Sequence, residues 1–136
     1  MSAHTKQLEL GIRALNLDIS SKKQKLMLAF LELLSKWNQH YNLTAITDVE
    51  KMITHHLLDS LSIAPYLVAQ QMCRMLDVGS GGGFPGIPLA LCFSDKQFVL
   101  LDSNGKKTRF LQQAISALSL ENVTVVQSRV ENFSIE

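Results

Sequence analysis

Long hydrophobic runs are absent from this sequence of 136 residues, although hydrophobic residues make up 46% of it. Its apolar stretches are far shorter than the roughly 18 residues expected of a transmembrane helix, so no membrane span is predicted. The first residues, Met1 to Lys6, lack the apolar region of a secretory signal, which predicts a cytoplasmic protein. No low-complexity tract is present, and the composition is typical of a globular fold of modest size.

Cysteine is scarce, because only Cys73 and Cys92 are present. Disulfides are rare in the cytoplasm, so both residues are expected to be reduced thiols that pack as small hydrophobic side chains. Net charge is small as well, since 13 basic and 12 acidic residues leave a formal charge of +1. A net charge this close to zero is only weak evidence for a protein that binds nucleic acid.

What the sequence does contain is a dense glycine cluster between residues 79 and 86. A short apolar run, Met75 to Val78, leads into the cluster, and an apolar helical pattern begins at Ile87. The order of strand, glycine turn and helix is how α/β proteins build a nucleotide pocket. Glycines reach positive φ without a Cβ penalty and let a ligand approach the bare backbone. An ordinary glycine-rich loop is the alternative.

The spacing of the glycines separates two classes of nucleotide. A dinucleotide fingerprint, G-x-G-x-x-G/A, would need glycine or alanine where Phe84 stands. Instead Gly79, Gly81 and Gly83 alternate, and Asp77 precedes the first of them by two positions. This acid-x-G-x-G-x-G pattern resembles motif I of class I S-adenosylmethionine methyltransferases. A carboxylate suits the cationic sulfonium and ammonium groups of S-adenosylmethionine, whereas it would repel a pyrophosphate.

An acid at the end of the next apolar run also favours a nucleoside ligand. Asp102 stands about 20 residues after Gly79, where a carboxylate can accept hydrogen bonds from ribose hydroxyls. S-adenosylmethionine and NAD share that ribose, so Asp102 does not choose between them. The alternative is that Asp102 or Ser103 caps a helix that begins near Gly105.

Hydrophobic periodicity divides the chain into a helical region, 1–70, and an alternating region, 71–136. The helical region is predicted to hold a short helix that stops at Asn16, a long helix capped near Ser20 and closed by Asn42, and a third helix from Asp48 to Pro65. The predicted apolar stripe of the long helix consists of Leu26, Phe30, Leu33, Leu34, Trp37 and Tyr41. The alternating region reads as strand, helix, strand, helix, strand over 74–78, 85–93, 97–101, 105–119 and 123–127.

This alternation predicts an α/β fold with a parallel sheet and right-handed crossovers. The predicted architecture is a helical N-terminal region followed by the first βαβαβ half of a Rossmann-like class I methyltransferase fold. In such a fold the first strand is central, and the ligand lies where the strand order reverses. Three strands supply only one side of that sheet and leave the first strand as an exposed edge. Either a partner covers that edge or, as we expect, the C-terminal strands are missing and the sequence is a fragment.

Several segments outside the glycine cluster carry a closer resemblance. They are Trp37-Asn38, Asn42-Leu43-Thr44, His56-Leu57-Leu58-Asp59-Ser60, Ala64-Pro65-Tyr66-Leu67, Phe84-Pro85-Gly86-Ile87-Pro88, Leu101-Asp102-Ser103, the run 106–111, and Ser128-Arg129-Val130-Glu131. Together with the glycine motif they resemble the bacterial ribosomal RNA small-subunit methyltransferase G family, also called glucose-inhibited division protein B. The resemblance extends over nearly the whole chain, and the expected missing portion is the C-terminal third of the family.

The resemblance implies transfer of a methyl group from S-adenosylmethionine to N7 of a guanine in 16S ribosomal RNA, free or within the small ribosomal subunit. It also implies cofactor contacts at Gly79, Phe84, Val130 and Glu131, and a monomer when the protein is full length. Guanine N7 already carries a lone pair, so no catalytic base or nucleophile is expected. Catalysis would then consist of positioning and the exclusion of water.

Two groups of residues allow both a functional and a structural interpretation. Lys106, Lys107 and Arg109 follow the second strand, where RNA would approach, or they form an ordinary solvated helix surface. Trp37 and Tyr41 could stack on RNA bases, but aromatic residues at this helical spacing more often belong to the core.

A metal site is not predicted, although His55 and Asp59 share a helix face beside His56. Two or three ligands on one helix are too few for a metal site, and His56 and Asp59 are expected to make structural hydrogen bonds. Two other classes of function stay open at this point. One is a nicotinamide-dependent oxidoreductase, against which Phe84 counts, and the other is a non-catalytic helical interaction module.

Overall fold

The computed structural model describes residues 2–71 and 73–133. The predicted regions 1–70 and 71–136 also include Met1, Met72 and 134–136, which lie outside the described residues. The α-helices are α1 (Ala3–Ala14), α2 (Ser21–Tyr41), α3 (Val49–Met52), α4 (Asp59–Leu61), α5 (Ala64–Gln70), α6 (Gly86–Cys92) and α7 (Gly105–Leu118). The strands are β1 (Arg74–Val78), β2 (Gln97–Asp102) and β3 (Val123–Gln127). A π-helical segment, Ile53–Leu58, joins α3 to α4, and a 3₁₀ turn, Val130–Asn132, follows β3.

The three strands form a parallel sheet in the order β1-β2-β3, with α6 and α7 as the crossovers. The predicted α/β fold and its βαβαβ order are therefore confirmed. Val78 pairs with Leu101, and Asp102 pairs with Gln127, so the carboxyl ends of all three strands meet at one edge of the sheet. Among the described residues β1 has a neighbour on one side only, which leaves it as an edge strand.

Helix α2 begins and ends where the sequence predicts. The hydroxyl of Ser20 accepts a hydrogen bond from the amide of Lys23, and Asn42 closes the helix in the left-handed conformation with φ of 50°. Its buried face differs from the predicted stripe and consists of Met27, Phe30, Leu31, Leu34 and Asn38. Apolar residues flank Phe30 on both sides, so periodicity alone could not choose between two neighbouring stripes. The contacts of α2 with α1, α6 and α7 determine which stripe is buried.

The third predicted helix is broken into several pieces. Asp48 caps α3 as predicted, through a hydrogen bond from the amide of Glu50. The prediction that Pro65 ends the helix is wrong, because the chain turns at Ser62 and Pro65 stands in the first turn of α5. A helix leaves its first amide groups without partners, so a residue that lacks an N–H is tolerated there.

One continuous hydrophobic core joins the helices to the sheet. The ring of Phe30 on α2 packs against Phe110 on α7 and against Phe84 beside the glycine turn, with centroids 5.9 Å and 5.4 Å apart. Helix α2 thus supports both the turn and α7 from one side. Among the helices in the described part of the chain, none is both long enough and apolar enough to cross a membrane.

A buried asparagine fixes the connection between α6 and β2. The side-chain amide nitrogen of Asn122 lies 3.0–3.1 Å from the carbonyl oxygens of Ala90, Phe93 and Lys96, and donates hydrogen bonds to them. Its backbone oxygen accepts a hydrogen bond from the amide of Phe98. Asn122 therefore holds the end of α6 against the start of the sheet.

The two cysteines differ in their surroundings. Cys73 is exposed, so the expectation that it packs as a small hydrophobic side chain is wrong. Cys92 is half-buried at the end of α6, and burial raises the pKa of its thiol to about 11. Both are free thiols.

Candidate functional site

The glycine turn folds back onto the end of β2. The carbonyl oxygen of Leu101 accepts two hydrogen bonds, from the amide of Gly79 at 2.7 Å and from the amide of Ser80 at 3.2 Å. A third bond, from the amide of Gly83 to the carbonyl of Ser80, closes the turn at 2.7 Å. Gly79, Gly81 and Gly83 all have positive φ, which explains the alternation of glycines in the sequence.

These glycines have different surroundings. A Cβ at Gly79 would meet no atom within 4 Å, and a Cβ at Gly81 would meet only the carbonyl oxygen of Gly79, at 3.8 Å. A Cβ at Gly83 would lie 2.9 Å from both Ile87 and Phe30. Gly79 and Gly81 therefore leave room for a ligand against the backbone, whereas Gly83 lets the turn pack onto the core.

Asp102 ties the glycine turn to the segment after β2. One carboxylate oxygen accepts a hydrogen bond from the amide of Gly81 at 2.9 Å, and the other accepts one from the amide of Asn104 at 2.8 Å. The helix-capping alternative for Asp102 and Ser103 is wrong, because Asn104 caps α7 by accepting bonds from two amides of its first turn. Each oxygen of Asp102 keeps a second lone pair for a ligand.

Asp77 lies behind the turn. Its carboxylate accepts a hydrogen bond from the amide of Gly86 at 3.1 Å, at the start of α6. Burial raises the pKa of Asp77 to about 6, and the negative charge of Asp102 acts in the same direction, while the bond from Gly86 opposes the rise. A carboxyl group with this pKa is mostly ionised at neutral pH, at a cost in desolvation.

A cavity of about 410 Å³ opens at the carboxyl ends of the three strands. Its walls are Val78, Gly79, Leu101, Asp102, Ser103, Ser128, Arg129, Val130 and Glu131. Four of the predicted cofactor-binding residues line it: Gly79, Asp102, Val130 and Glu131. The walls do not include the other four predicted residues, Asp77, Gly81, Gly83 and Phe84. Of these, Gly81 is bonded to a wall residue, because its amide donates to Asp102. Larger cavities lie beside the connection between α1 and α2, away from the carboxyl ends of the strands.

Phe84 instead takes part in a contact that sequence reasoning missed. The imidazole of His56 stacks on its ring, with centroids 4.6 Å apart and planes inclined by 17°. The Nε2 atom of His56 lies 2.8 Å from the hydroxyl oxygen of Thr44, and the amide of Thr44 donates to the side chain of Asn38 at 2.8 Å. The expected structural hydrogen bond of His56 is confirmed.

The π-helical segment explains why no sequence period revealed this stack. The wider turn of a π-helix gives the side chain of His56 a direction that a 3.6-residue period does not reproduce. In the sequence, this contact was indicated only by segment 56–60, which is part of the family resemblance. The expectation for Asp59 is wrong, since its exposed side chain makes no hydrogen bond within residues 2–71 and 73–133. No cluster of three or more potential metal ligands occurs in that same part of the chain.

The predicted basic residues lie on the first turns of α7. Lys106 and Arg109 are exposed, Lys107 is half-buried, and no carboxylate of the described chain lies within 4.0 Å of their charged groups. The ammonium group of Lys106 lies 6.0 Å from the ring centre of Tyr41. The core interpretation is wrong for Tyr41, because 43% of its surface is exposed.

Residues 23–136 match the family model described as rRNA small subunit methyltransferase G. The chain belongs to this family. Curated relatives with this name are 56% identical over 129 residues in Coxiella burnetii (strain RSA 493), 58% over 128 residues in Neisseria meningitidis (strain FAM18) and 53% over 133 residues in Ectopseudomonas mendocina (strain ymp). The family resemblance seen in the sequence is therefore confirmed.

The match covers this chain and its relatives unequally. The aligned residues make up 94–98% of this chain but only 61–62% of each relative. The chain thus spans less than two thirds of the length of these family members, and its three-strand sheet corresponds to a partial Rossmann-like methyltransferase fold.

Proposed function

We propose that this chain carries the S-adenosylmethionine-binding part of a methyltransferase that modifies N7 of a guanine in 16S ribosomal RNA. The observation that carries the proposal is the cavity at the strand ends, which combines an open glycine turn, a buried acid and an exposed valine. The name shared by the relatives, ribosomal RNA small subunit methyltransferase G, supports the reaction class and the kind of RNA.

The residues of the cavity fit the chemistry of that cofactor. Asp102 lines the cavity and would accept hydrogen bonds from the ribose hydroxyls through the lone pairs that its bonds to the amides of Gly81 and Asn104 leave free. Val130, 53% exposed, would lie against the adenine, and Glu131 would accept from its amino group. The bare backbone at Gly79 leaves room for the remainder of the molecule, and Asp77 adds negative potential for its ammonium group. When bound, the cofactor supplies a methyl group activated by a positively charged sulfur.

The proposed reaction requires little acid–base catalysis from the side chains of this chain. Guanine N7 has a free lone pair, so no proton must leave before it attacks a methyl carbon. The chain then needs to hold the cofactor in one orientation and to keep water away. A guanine in a single-stranded loop exposes the N7 edge that the deep major groove of an RNA duplex hides. We infer that the full-length protein acts as a monomer in the cytoplasm, on ribosomal RNA or the small subunit, with Lys106, Lys107 and Arg109 facing the RNA.

Calorimetry with three ligands tests the nucleotide class. We expect binding of S-adenosylmethionine and of its demethylated product, S-adenosylhomocysteine, and no binding of NAD. Binding of NAD alone would favour the oxidoreductase alternative. Absence of binding by all three ligands would favour the non-catalytic interaction module for this chain.

Asp102→Asn tests the ribose contact. An asparagine can accept from only one of the two amides, so we expect unfolding to become easier by about 1–3 kcal/mol. The ribose contribution is separated by comparing S-adenosylhomocysteine with an analogue that lacks the ribose 2′-hydroxyl. The native chain should prefer the hydroxylated ligand roughly tenfold, and the variant should have lost most of this preference. An unchanged preference in the variant would assign Asp102 to the architecture of the turn alone.

A further inference from the structure

An aromatic side chain at the end of α2, Tyr41, packs against the protein while 43% of its surface stays exposed. The ring of Tyr41 packs on Trp37 with centroids 5.3 Å apart, and Trp37 in turn packs on Phe110 with centroids 5.7 Å apart. Phe110 is fully buried. Tyr41 is therefore the outermost ring of a stack that is anchored in the core.

Basic side chains from α7 lie beside this ring. The ammonium group of Lys106 lies 6.0 Å from the ring centre of Tyr41, and Arg109 follows one helical turn later on the same side of α7. The imidazole of His40 lies edge-on to Tyr41 with centroids 6.3 Å apart. We call His40, Tyr41, Lys106 and Arg109 the Tyr41 surface. Within the described chain, neither Lys106 nor Arg109 has a carboxylate partner.

We propose that the Tyr41 surface binds a single-stranded segment of RNA, with one base stacked on Tyr41 and neighbouring phosphates at Lys106 and Arg109. This inference rests on the proposed function and adds the place where the substrate RNA is held. An exposed aromatic face next to unpaired cations is the combination by which proteins bind single strands, because every base offers a face for stacking and every linkage offers a charge. A duplex would hide its bases from Tyr41.

The position of the Tyr41 surface agrees with that role. Ser103 lines the cavity, Asn104 caps α7, and Lys106 lies in the first turn of the same helix. An RNA strand on the Tyr41 surface would therefore run past the side of the cavity formed by the end of β2. The surface can hold the flanking nucleotides of a target base without entering the cavity itself.

Fluorescence anisotropy with a labelled, unstructured RNA oligonucleotide tests the inference. We expect Tyr41→Ala to weaken RNA binding roughly tenfold and Tyr41→Phe to retain most of it, because the ring and not the hydroxyl stacks on the base. Lys106→Ala should weaken binding and reduce the salt dependence by about one released counterion. Tyr66→Ala and Lys22→Ala are matched controls, since both residues are exposed, Tyr66 lies on α5, and Lys22 lies at the opposite end of α2 from Tyr41.

Binding of S-adenosylhomocysteine, measured in the same variants, should be unchanged. The inference is overturned if Tyr41→Ala binds RNA as tightly as Tyr66→Ala, and the proposed function then still stands on the native chain's binding of RNA and cofactor. It is also overturned if a glutamate-rich peptide competes as well as RNA of equal charge, since the surface would then fit an acidic protein. A native chain that binds neither RNA nor cofactor would overturn the inference and the proposed function together.

Discussion

His56 lies flat on Phe84, with ring centroids 4.6 Å apart and the two planes inclined by 17°. This contact joins the π-helical segment to the residue that follows the glycine turn. Because the hydroxyl of Thr44 also bonds to Nε2 at the edge of the imidazole, the ring is held by two different contacts. The helical region thereby helps to determine where the turn lies.

His56→Ala should therefore loosen the turn. We expect a loss of about 1–3 kcal/mol in the free energy of unfolding, from the aromatic contact and the bond to Thr44, together with weaker binding of S-adenosylhomocysteine. His55→Ala is the matched control, because His55 is exposed on the same segment. Equal effects of the two substitutions in thermal unfolding and calorimetry would show that the stack has no such role.

Acid should destabilise the chain through the same residue. Burial lowers the pKa of His56 from its ordinary value of 6.5, the charge of His55 acts in the same direction, and Asp59 opposes it. The unfolded chain therefore binds the proton more tightly, so this contribution to stability is complete above pH 6.5 and is lost as the pH falls below it. His56→Phe keeps a stacked ring without a titrating group. When the free energy of unfolding in urea is measured at a series of pH values, the variant should lose this part of the pH dependence.

Asp77→Asn should have the opposite pH signature. The pKa of Asp77 rises from 3.8 in the unfolded chain to about 6 in the folded one, so the folded chain binds the proton more tightly between these values. Its contribution to stability is present below about pH 4 and is lost as the pH rises to 6. Asparagine keeps an acceptor for the amide of Gly86, so we expect the variant to be more stable at pH 7.5.

The same variant should bind S-adenosylmethionine more weakly, because the negative potential offered to the ammonium group is gone. Asp95→Asn on the exposed α6–β2 connection is the control for the loss of one charge. A variant that is no more stable at pH 7.5 than Asp95→Asn would contradict the buried-carboxylate argument. Undiminished affinity would remove Asp77 from the cofactor site and leave it as a support for α6.

Gly79→Ala and Gly83→Ala should separate binding from folding. Both residues have positive φ, so alanine costs about 1–2 kcal/mol at either position. At Gly83 the methyl group also meets Ile87 and Phe30 at 2.9 Å, and we expect a further loss of about 1–3 kcal/mol. At Gly79 it meets open space, so the fold should survive while cofactor binding is lost. A native affinity in Gly79→Ala would place the ligand elsewhere.

Asn122→Asp should unfold the chain far more readily than its small chemical change suggests. It would face three carbonyl oxygens with a negative charge and remove the amide hydrogens that satisfy them. We expect a loss of at least about 3 kcal/mol, measured by urea unfolding at pH 7. The exposed Asn132→Asp should be near neutral and serves as the control.

The order of strands and helices from residue 74 onward could be predicted because each element carries a clear period and each turn a clear breaker. The position of Asp102 at a strand end could also be predicted. Its bonds to the amides of Gly81 and Asn104 could not, because they depend on how the turn folds. The buried face of α2 and the stack of His56 on Phe84 both depend on tertiary contacts, which a local period does not encode. The exposure of Tyr41 likewise depends on tertiary contacts.

The two hydrogen bonds that the Leu101 carbonyl accepts from the glycine turn have a consequence for the thermodynamics of binding. The turn is an extension of the ladder between β1 and β2, and so it is already ordered before a ligand arrives. An incoming molecule then has little chain entropy to remove, and most of its contact energy is available as affinity. The converse also holds. Any change that separates β1 from β2 also disorders the binding surface, so the pocket and the sheet should unfold as a single unit.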